Sequence, residues 1–187
     1  MLIMIDGIDG SGKDTIARVW KRHIAEQGNA IFDLVNYWKN NKKQPGLREM
    51  KSYDFIFSAE PTFAGIGQTI RDELISKNYN YSASSIAQAY SLDRLVLYTK
   101  LIIPLLKEGK IIIQNRGIST SLAYQTTHNP ELSFNKLLEL EGNKLCIEKA
   151  PDYLFIVDTD PEESIKRLSG IWHKNVHAVF EKKEMLK

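Results

Sequence analysis

Seven residues, Gly7-Ile-Asp-Gly-Ser-Gly12-Lys13, constrain the fold of this chain more than any others. An apolar run, Leu2 to Ile5, leads into them, and a helical pattern from about Asp14 to Gln27 follows, with Ile16, Val19, Trp20 and Ile24 near one face. Strand, glycine-rich loop and helix in that order make a P-loop, G-x-x-x-x-G-K-[ST]. Glycines let successive backbone N–H groups turn inward around a phosphate chain, and the helix N-terminus adds partial positive charge. Lys13 reaches the outer phosphates as a point charge. Gly7, Asp9, Gly10, Ser11, Gly12, Lys13, Asp14 and Thr15 are therefore the candidate cradle for nucleotide phosphates. One position departs from the pattern. The residue after Lys13 should carry a hydroxyl for Mg²⁺; here it is Asp14, and Thr15 comes one place late.

A parallel sheet follows from the rest of the pattern. Ala30 to Val35, Asp54 to Ala59, Lys110 to Gln114 and Pro151 to Val157 read as strands. Helices are expected at 66–76, 84–108 with a kink at Pro104, 130–149 and 161–168. Asn36 to Tyr53, rich in Asn and Lys, reads as an exposed connection, and Ser119 to Gln125 as a polar segment. Strands alternating with helices give a three-layer α/β fold, a central parallel sheet flanked by helices. In such sheets ligands sit beyond the carboxyl ends of the strands, which places Glu60, Asn115 and Arg116 near the P-loop.

Composition bounds the function. A net charge of +2 gives no bulk electrostatic case for nucleic acid or a membrane surface. The single cysteine, Cys146, excludes an internal disulfide and reads as a small core residue. No apolar run approaches the ~18 residues of a membrane span, so a soluble, cytoplasmic, single-domain protein is expected.

Six segments together carry a resemblance: Asp6 to Lys13; Ala59-Glu-Pro-Thr62 with Gly67-Gln-Thr-Ile-Arg71; Tyr90-Ser-Leu-Asp-Arg94; Gly109 to Arg116; Ser121-Leu-Ala-Tyr-Gln125; and Ala150 to Arg167. In this order they resemble the thymidylate kinases, P-loop enzymes that move the γ-phosphoryl of ATP onto thymidine monophosphate. The resemblance implies ATP and dTMP as substrates, Mg²⁺ as cofactor, a homodimer, a lid around residues 169–179 and a C-terminal helix cut short at Lys187. It also implies residue roles. Lys13, Asp9 and Arg116 would be catalytic. Asp9 would face the acceptor's sugar and phosphate, with Glu60 beside it. Tyr90 would stack on the pyrimidine and Arg94 bond its edge. Arg71 and Arg116 would grip the acceptor phosphate, while Thr120, Tyr124 and Gln125 complete the pocket. The metal candidates, Asp14 with Glu60, come from this sequence rather than from the resemblance, since a carboxylate suits Mg²⁺.

The chemistry is coherent, because phosphoryl transfer is mostly positioning and charge stabilisation, and two phosphates meet only if arginines offset their like charge. On residue type alone, Tyr90 and Tyr124 read equally as packing, and Arg71 and Arg94 as a solvated helix face. The chain departs from the family at Asp14, at Asn115 (usually Asp), at Gly117 and Ser119, and in having no arginine in the P-loop or in the lid after Arg167. Asp14 and Asn115 read as one linked change, a carboxylate moved from strand end to P-loop. A nucleoside kinase of related fold and a catalytically impaired nucleotide-binding homologue are the alternatives.

Overall fold

The computed structural model describes residues 1–76, 80–128 and 131–169. Five strands, β1 (Leu2–Asp6), β2 (Ile31–Asp33), β3 (Phe55–Ala59), β4 (Ile111–Asn115) and β5 (Tyr153–Ile156), form one sheet in the order β2-β3-β4-β1-β5. Every pairing is parallel, with helices on both faces, as the alternation of elements requires. Strands buried on both sides need apolar residues at every position, and successive side chains separate them between two cores. Leu2, Ile56 and Ile112 pack on one face with Trp38, Leu97, Tyr98, Leu101 and Ile102. Ile5, Phe57 and Ile113 pack on the other against Ile16, Trp20 and Ile24 of α1 (Lys13–Glu26). Each such side chain contributes about 1.5–3 kcal/mol by leaving water.

The register decides what meets at the sheet's upper edge. Asn115 lies level with Ile5 on one side and Ala59 on the other. The backbone ladder continues one step past the strand ends: Glu60 N–H donates to the Asn115 carbonyl at 3.0 Å, and Arg116 N–H to that of Ile5 at 2.9 Å. Asp6, Glu60 and Arg116 are thereby set on one line beneath the P-loop.

Several elements differ from the sequence expectation. The strand expected at 30–35 ends at Asp33, whose side chain accepts the Asn36 N–H at 3.1 Å and starts α2 (Leu34–Asn41). The supposed exposed connection, Asn36 to Tyr53, therefore holds most of a helix and a 3₁₀ turn (Leu47–Met50), and its Trp38 and Met50 are buried, as is Leu34 just before it. Only Leu34 and Trp38 of this helix are fully buried, one turn apart, and the polar residues around them hide the period. Helix α3 (Ile66–Thr69) runs on as a π-turn over Ile70–Leu74. The long helix divides into α4 (Ala83–Leu97), a π-turn (Tyr98–Ile102) and α5 (Ile103–Lys107). Pro104 has no N–H for a normal helical bond, and the ladder widens just before it. The polar segment is helix α6 (Ile118–His128), and the helix expected at 130–149 is two, α7 (Phe134–Leu138) and α8 (Glu141–Glu148). After β5, α9 (Pro161–Ser169) begins at Pro161 as expected. The lid expected around 169–179, past its first residue, and the expected C-terminal helix lie outside the described residues.

Candidate functional site

The P-loop wraps the start of α1. Gly12 takes φ 101° at the helix N-cap, a left-handed conformation that disfavours any side chain. A Cβ on Gly10 (φ 80°) would come within 2.5 Å of the Ser164 carbonyl, so α9 closes on the outside of the loop only because this position is glycine. The Ile8 carbonyl accepts from Ser11 N–H at 3.1 Å and from Lys13 Nζ at 3.0 Å. Lys13 is thus folded across the cradle, 3% exposed, with the Asp9 carboxylate 3.6 Å away. Burial lowers its pKa, and the charge of Arg116 lowers it further.

Asp9 is where the expected groups converge. Its carboxylate pairs with Arg116 Nη2, and its Oδ2 lies 3.4 Å from the Tyr124 hydroxyl. The same hydroxyl accepts the Asp9 backbone N–H at 3.1 Å. Burial, and then the neighbouring Asp9 charge, push the Tyr124 phenol up to about 12. Burial opposes the charge on Arg116, but Asp9, Tyr124, Asp6 and Asp14 outweigh it and hold its pKa above the ordinary value. Arg116 adopts φ 67°, a left-handed backbone that costs a non-glycine residue of order 1–3 kcal/mol and is concentrated at functional sites.

Beneath them lies a carboxylate not anticipated as a site residue. Asp6 ends β1, is buried, and accepts from Gly7 N–H at 2.8 Å, from Thr120 N–H at 3.1 Å, from the Thr120 hydroxyl at 2.6 Å and from the Ser119 hydroxyl. It caps α6 from another element, which is why α6 shows no start signal of its own. Thr120 is accordingly bound to Asp6, with Arg116 Nη1 at 3.4 Å.

The acceptor side is a second buried network. Arg94, 2% exposed, donates Nε to Glu60 Oε2 at 2.6 Å, Nη1 to Asn143 Oδ1 at 2.6 Å and Nη2 to the Ser121 hydroxyl. Gln114 Nε2 donates to Glu60 Oε1 at 2.8 Å. Burial pushes the Glu60 carboxyl up against the pull of Arg94. Gln125 Nε2 lies 3.3 Å from Ser121, and its Oε1 is buried without a partner among the described residues. Tyr90 lies beside Arg94, whose guanidinium is 5.8 Å from the ring centre. Arg71 donates to the Pro61 and Thr62 carbonyls and lies 3.7 Å over the Phe63 ring. Burial lowers its pKa to about 10. Asp93 fixes the same corner by accepting the Thr62 N–H and hydroxyl, each at 2.7 Å.

The two metal candidates have different partners. Both Glu60 oxygens accept from Arg94 and Gln114, a buried arrangement that serves the guanidinium rather than a cation. Among the described residues no group of three or more His, Cys, Asp or Glu side chains is placed to hold a metal. Asp14 instead touches Asn115, whose Nδ2 donates to its Oδ1. A further unanticipated cation is Arg167 of α9, with Nη1 at 3.4 Å from the Gly10 carbonyl and 3.3 Å from that of Ser11. Glu163, one turn earlier, holds its Nε at 3.0 Å; that i, i+4 spacing is the only trace of it in the sequence.

Residues 46–187 match the family described as thymidylate kinase. A probable thymidylate kinase of Thermococcus onnurineus is 31% identical over 97% of this chain and 76% of its own length. A thymidylate kinase of Thermoanaerobacter is 27% identical over 88% of this chain and 68% of its own. The crystal structure of thymidylate kinase from Ehrlichia chaffeensis superposes with a TM-score of 0.63 and 26% identity, covering 92% of this chain and 84% of that one.

Proposed function

The chain belongs to the thymidylate kinase family, and on that premise we infer that it transfers the γ-phosphoryl of ATP to dTMP, giving ADP and dTDP. The observation that carries the reading is the convergence on Asp9. The loop that would cradle the donor phosphates carries a carboxylate paired to Arg116, the residue just past the neighbouring strand β4, on the acceptor side. Lys13 and the loop amides would hold the β- and γ-phosphates, and binding them would offset the cost of a buried ammonium. Arg116 and Arg71 would take the acceptor phosphate, with Asp9 fixing the orientation of the Arg116 fork. Tyr90 would supply a face for the pyrimidine, a contact worth roughly 1–3 kcal/mol by analogy with single-strand stacking. Arg94 has N–H groups beyond those bonded to Glu60, Asn143 and Ser121, and these would reach the base edge, with Gln125 Oε1 as the matching acceptor. Thr120 and Tyr124 would hold Arg116 and Asp9 in place from α6.

Mg²⁺ would be held by oxygens at the start of α1 and the end of β4, where Asn115 Oδ1 is buried without a partner among the described residues. Bound with ATP, the cation would supply positive charge against the charge that develops in phosphoryl transfer.

No helix among the described residues is long and apolar enough to cross a membrane. From the family we propose a cytoplasmic homodimer; light scattering on the purified protein measures its oligomeric state. The substrate is tested by comparing dTMP with thymidine in an ADP-release assay. Turnover with dTMP alone supports the reading, and turnover with thymidine alone makes the protein a nucleoside kinase with no use for Arg71 and Arg116.

A further inference from the structure

P-loop enzymes generally hold the nucleotide's cation from two sides: a hydroxyl on the residue after the loop lysine, and a carboxylate on a neighbouring strand. Both positions differ here, and the two residues that stand there touch. Asp14 opens α1 directly after Lys13, Asn115 closes β4, and Asn115 Nδ2 donates to Asp14 Oδ1 across 101 residues of sequence. What the contact leaves over is two oxygens. Asp14 is exposed and its Oδ2 makes no hydrogen bond among the described residues. Asn115 Oδ1 is buried and orphaned. Thr15 does not restore the usual arrangement, since its hydroxyl accepts from Arg18 at 3.2 Å on the exposed side of the helix.

We propose that the two positions have exchanged chemistry: Asp14 is the carboxylate that anchors the nucleotide's Mg²⁺, and Asn115 positions it by hydrogen bond while offering a neutral amide oxygen to the same cation. The inference rests on the reading of the protein as a Mg²⁺–ATP kinase. A hard cation of this size takes carboxylate and amide oxygens readily. One negative charge is kept in the pair, so the phosphates meet the same formal charge as in the usual arrangement. The neutrality of Asn115 is part of the device. Two carboxylates at this contact would repel, whereas amide and carboxylate attract, so an acid at position 14 requires a non-acid at 115. A helix-dipole role for Asp14 would account for an acid in the first turn. It gives no reason for the bond to Asn115 or for the orphaned oxygen beside it.

The test is calorimetric binding of ADP, with and without Mg²⁺, to the wild type, Asp14→Ser, Asn115→Asp and the double variant. The wild type should bind ADP more tightly with Mg²⁺. Asp14→Ser should lose about tenfold or more of that enhancement, the scale on which metal-site partners act. It should also bind metal-free ADP at least as well as the wild type, because a charge facing phosphate has gone. Asn115→Asp should weaken metal-free ADP binding and melt lower without Mg²⁺ than with it. The double variant, with the hydroxyl and the acid in their usual places, should regain the wild-type enhancement within about threefold. An Asp14→Ser protein that keeps the full enhancement, or a double variant no better than Asp14→Ser, overturns the exchange while leaving the kinase reading intact. A wild type with no Mg²⁺ enhancement overturns both.

Discussion

Asp9 in the P-loop and Arg116 just past β4 form an ion pair across 107 residues of sequence. The loop proposed to hold the donor and the side chain proposed to grip the acceptor are therefore one rigid unit, closed by Tyr124 from α6. Arg116→Lys keeps the charge but loses the planar fork that meets a carboxylate and a phosphate together. It should lower kcat/KM for dTMP by roughly 10²–10³, the scale of removing one oriented donor from developing charge. KM for ATP should change far less. Steady-state kinetics with each substrate varied separates the two.

Lys13 is a charge that burial makes costly to the fold. Its pKa in the fold lies below the unfolded value of 10.5, chiefly from burial and next from Arg116. At pH values below the folded pKa the ammonium is charged in both states and destabilises the fold in full. The penalty relaxes as pH rises through the folded pKa and is gone above 10.5. Lys13→Met should consequently leave the nucleotide-free protein at least as stable as the wild type at neutral pH, while ATP no longer raises the melting temperature. Thermal melts with and without ATP check both halves. A Lys13→Met protein less stable than the wild type would mean that the contacts to Ile8 and Asp9 outweigh burial.

Arg94 and Glu60 are each nearly inaccessible and bond to one another at 2.6 Å. Removing the cation alone strands a buried carboxylate. Arg94→Leu should destabilise by about 3–5 kcal/mol, and Glu60→Gln in that background should recover part of it, because the remaining group no longer needs a counter-charge. Urea melts of both single variants and the double variant against the wild type give the comparison. Full additivity of separate Glu60→Gln and Arg94→Leu losses would contradict the coupling.

Gly142 is where α8 crosses α4. A Cβ there would sit 1.8 Å from the Ser91 carbonyl oxygen, backbone rather than a side chain that swings aside. The Gly142 N–H also donates to the Ser91 hydroxyl at 3.0 Å. Gly142→Ala should thus destabilise by about 1–3 kcal/mol despite the higher helix propensity of alanine, the scale of overpacking. A melt that shows stabilisation would mean the two helices separate freely.

The fold was legible wherever apolar runs and loop chemistry agreed. Leu2–Ile5, Phe55–Phe57 and Ile111–Ile113 are continuous apolar strands, and a P-loop needs a parallel sheet behind it. Helix α2 was hidden because its buried stripe is two residues wide, and α6 because its cap, Asp6, is over a hundred residues away. The candidate site was legible in its members more than in their partners. Asp9, Arg116 and Tyr124 were expected together and meet. Glu60 and Arg94 were expected at a ligand, and the structure shows them bonded first to each other; the strand end carrying Glu60 was legible, but only the fold reveals that it faces Arg94 on α4. The contact between Asp14 and Asn115 stood in the sequence as two departures, and the pairing of β1 with β4 makes them neighbours.

The central claim is transfer of the γ-phosphoryl to the phosphate of dTMP. It is tested most directly by incubating the purified protein with γ-labelled ATP, Mg²⁺ and dTMP and separating the products. Label in dTDP, in amount equal to the ADP formed and absent with Lys13→Met, is the expected result. Label that stays in ATP or appears only as inorganic phosphate, from a protein that binds both nucleotides, would contradict it.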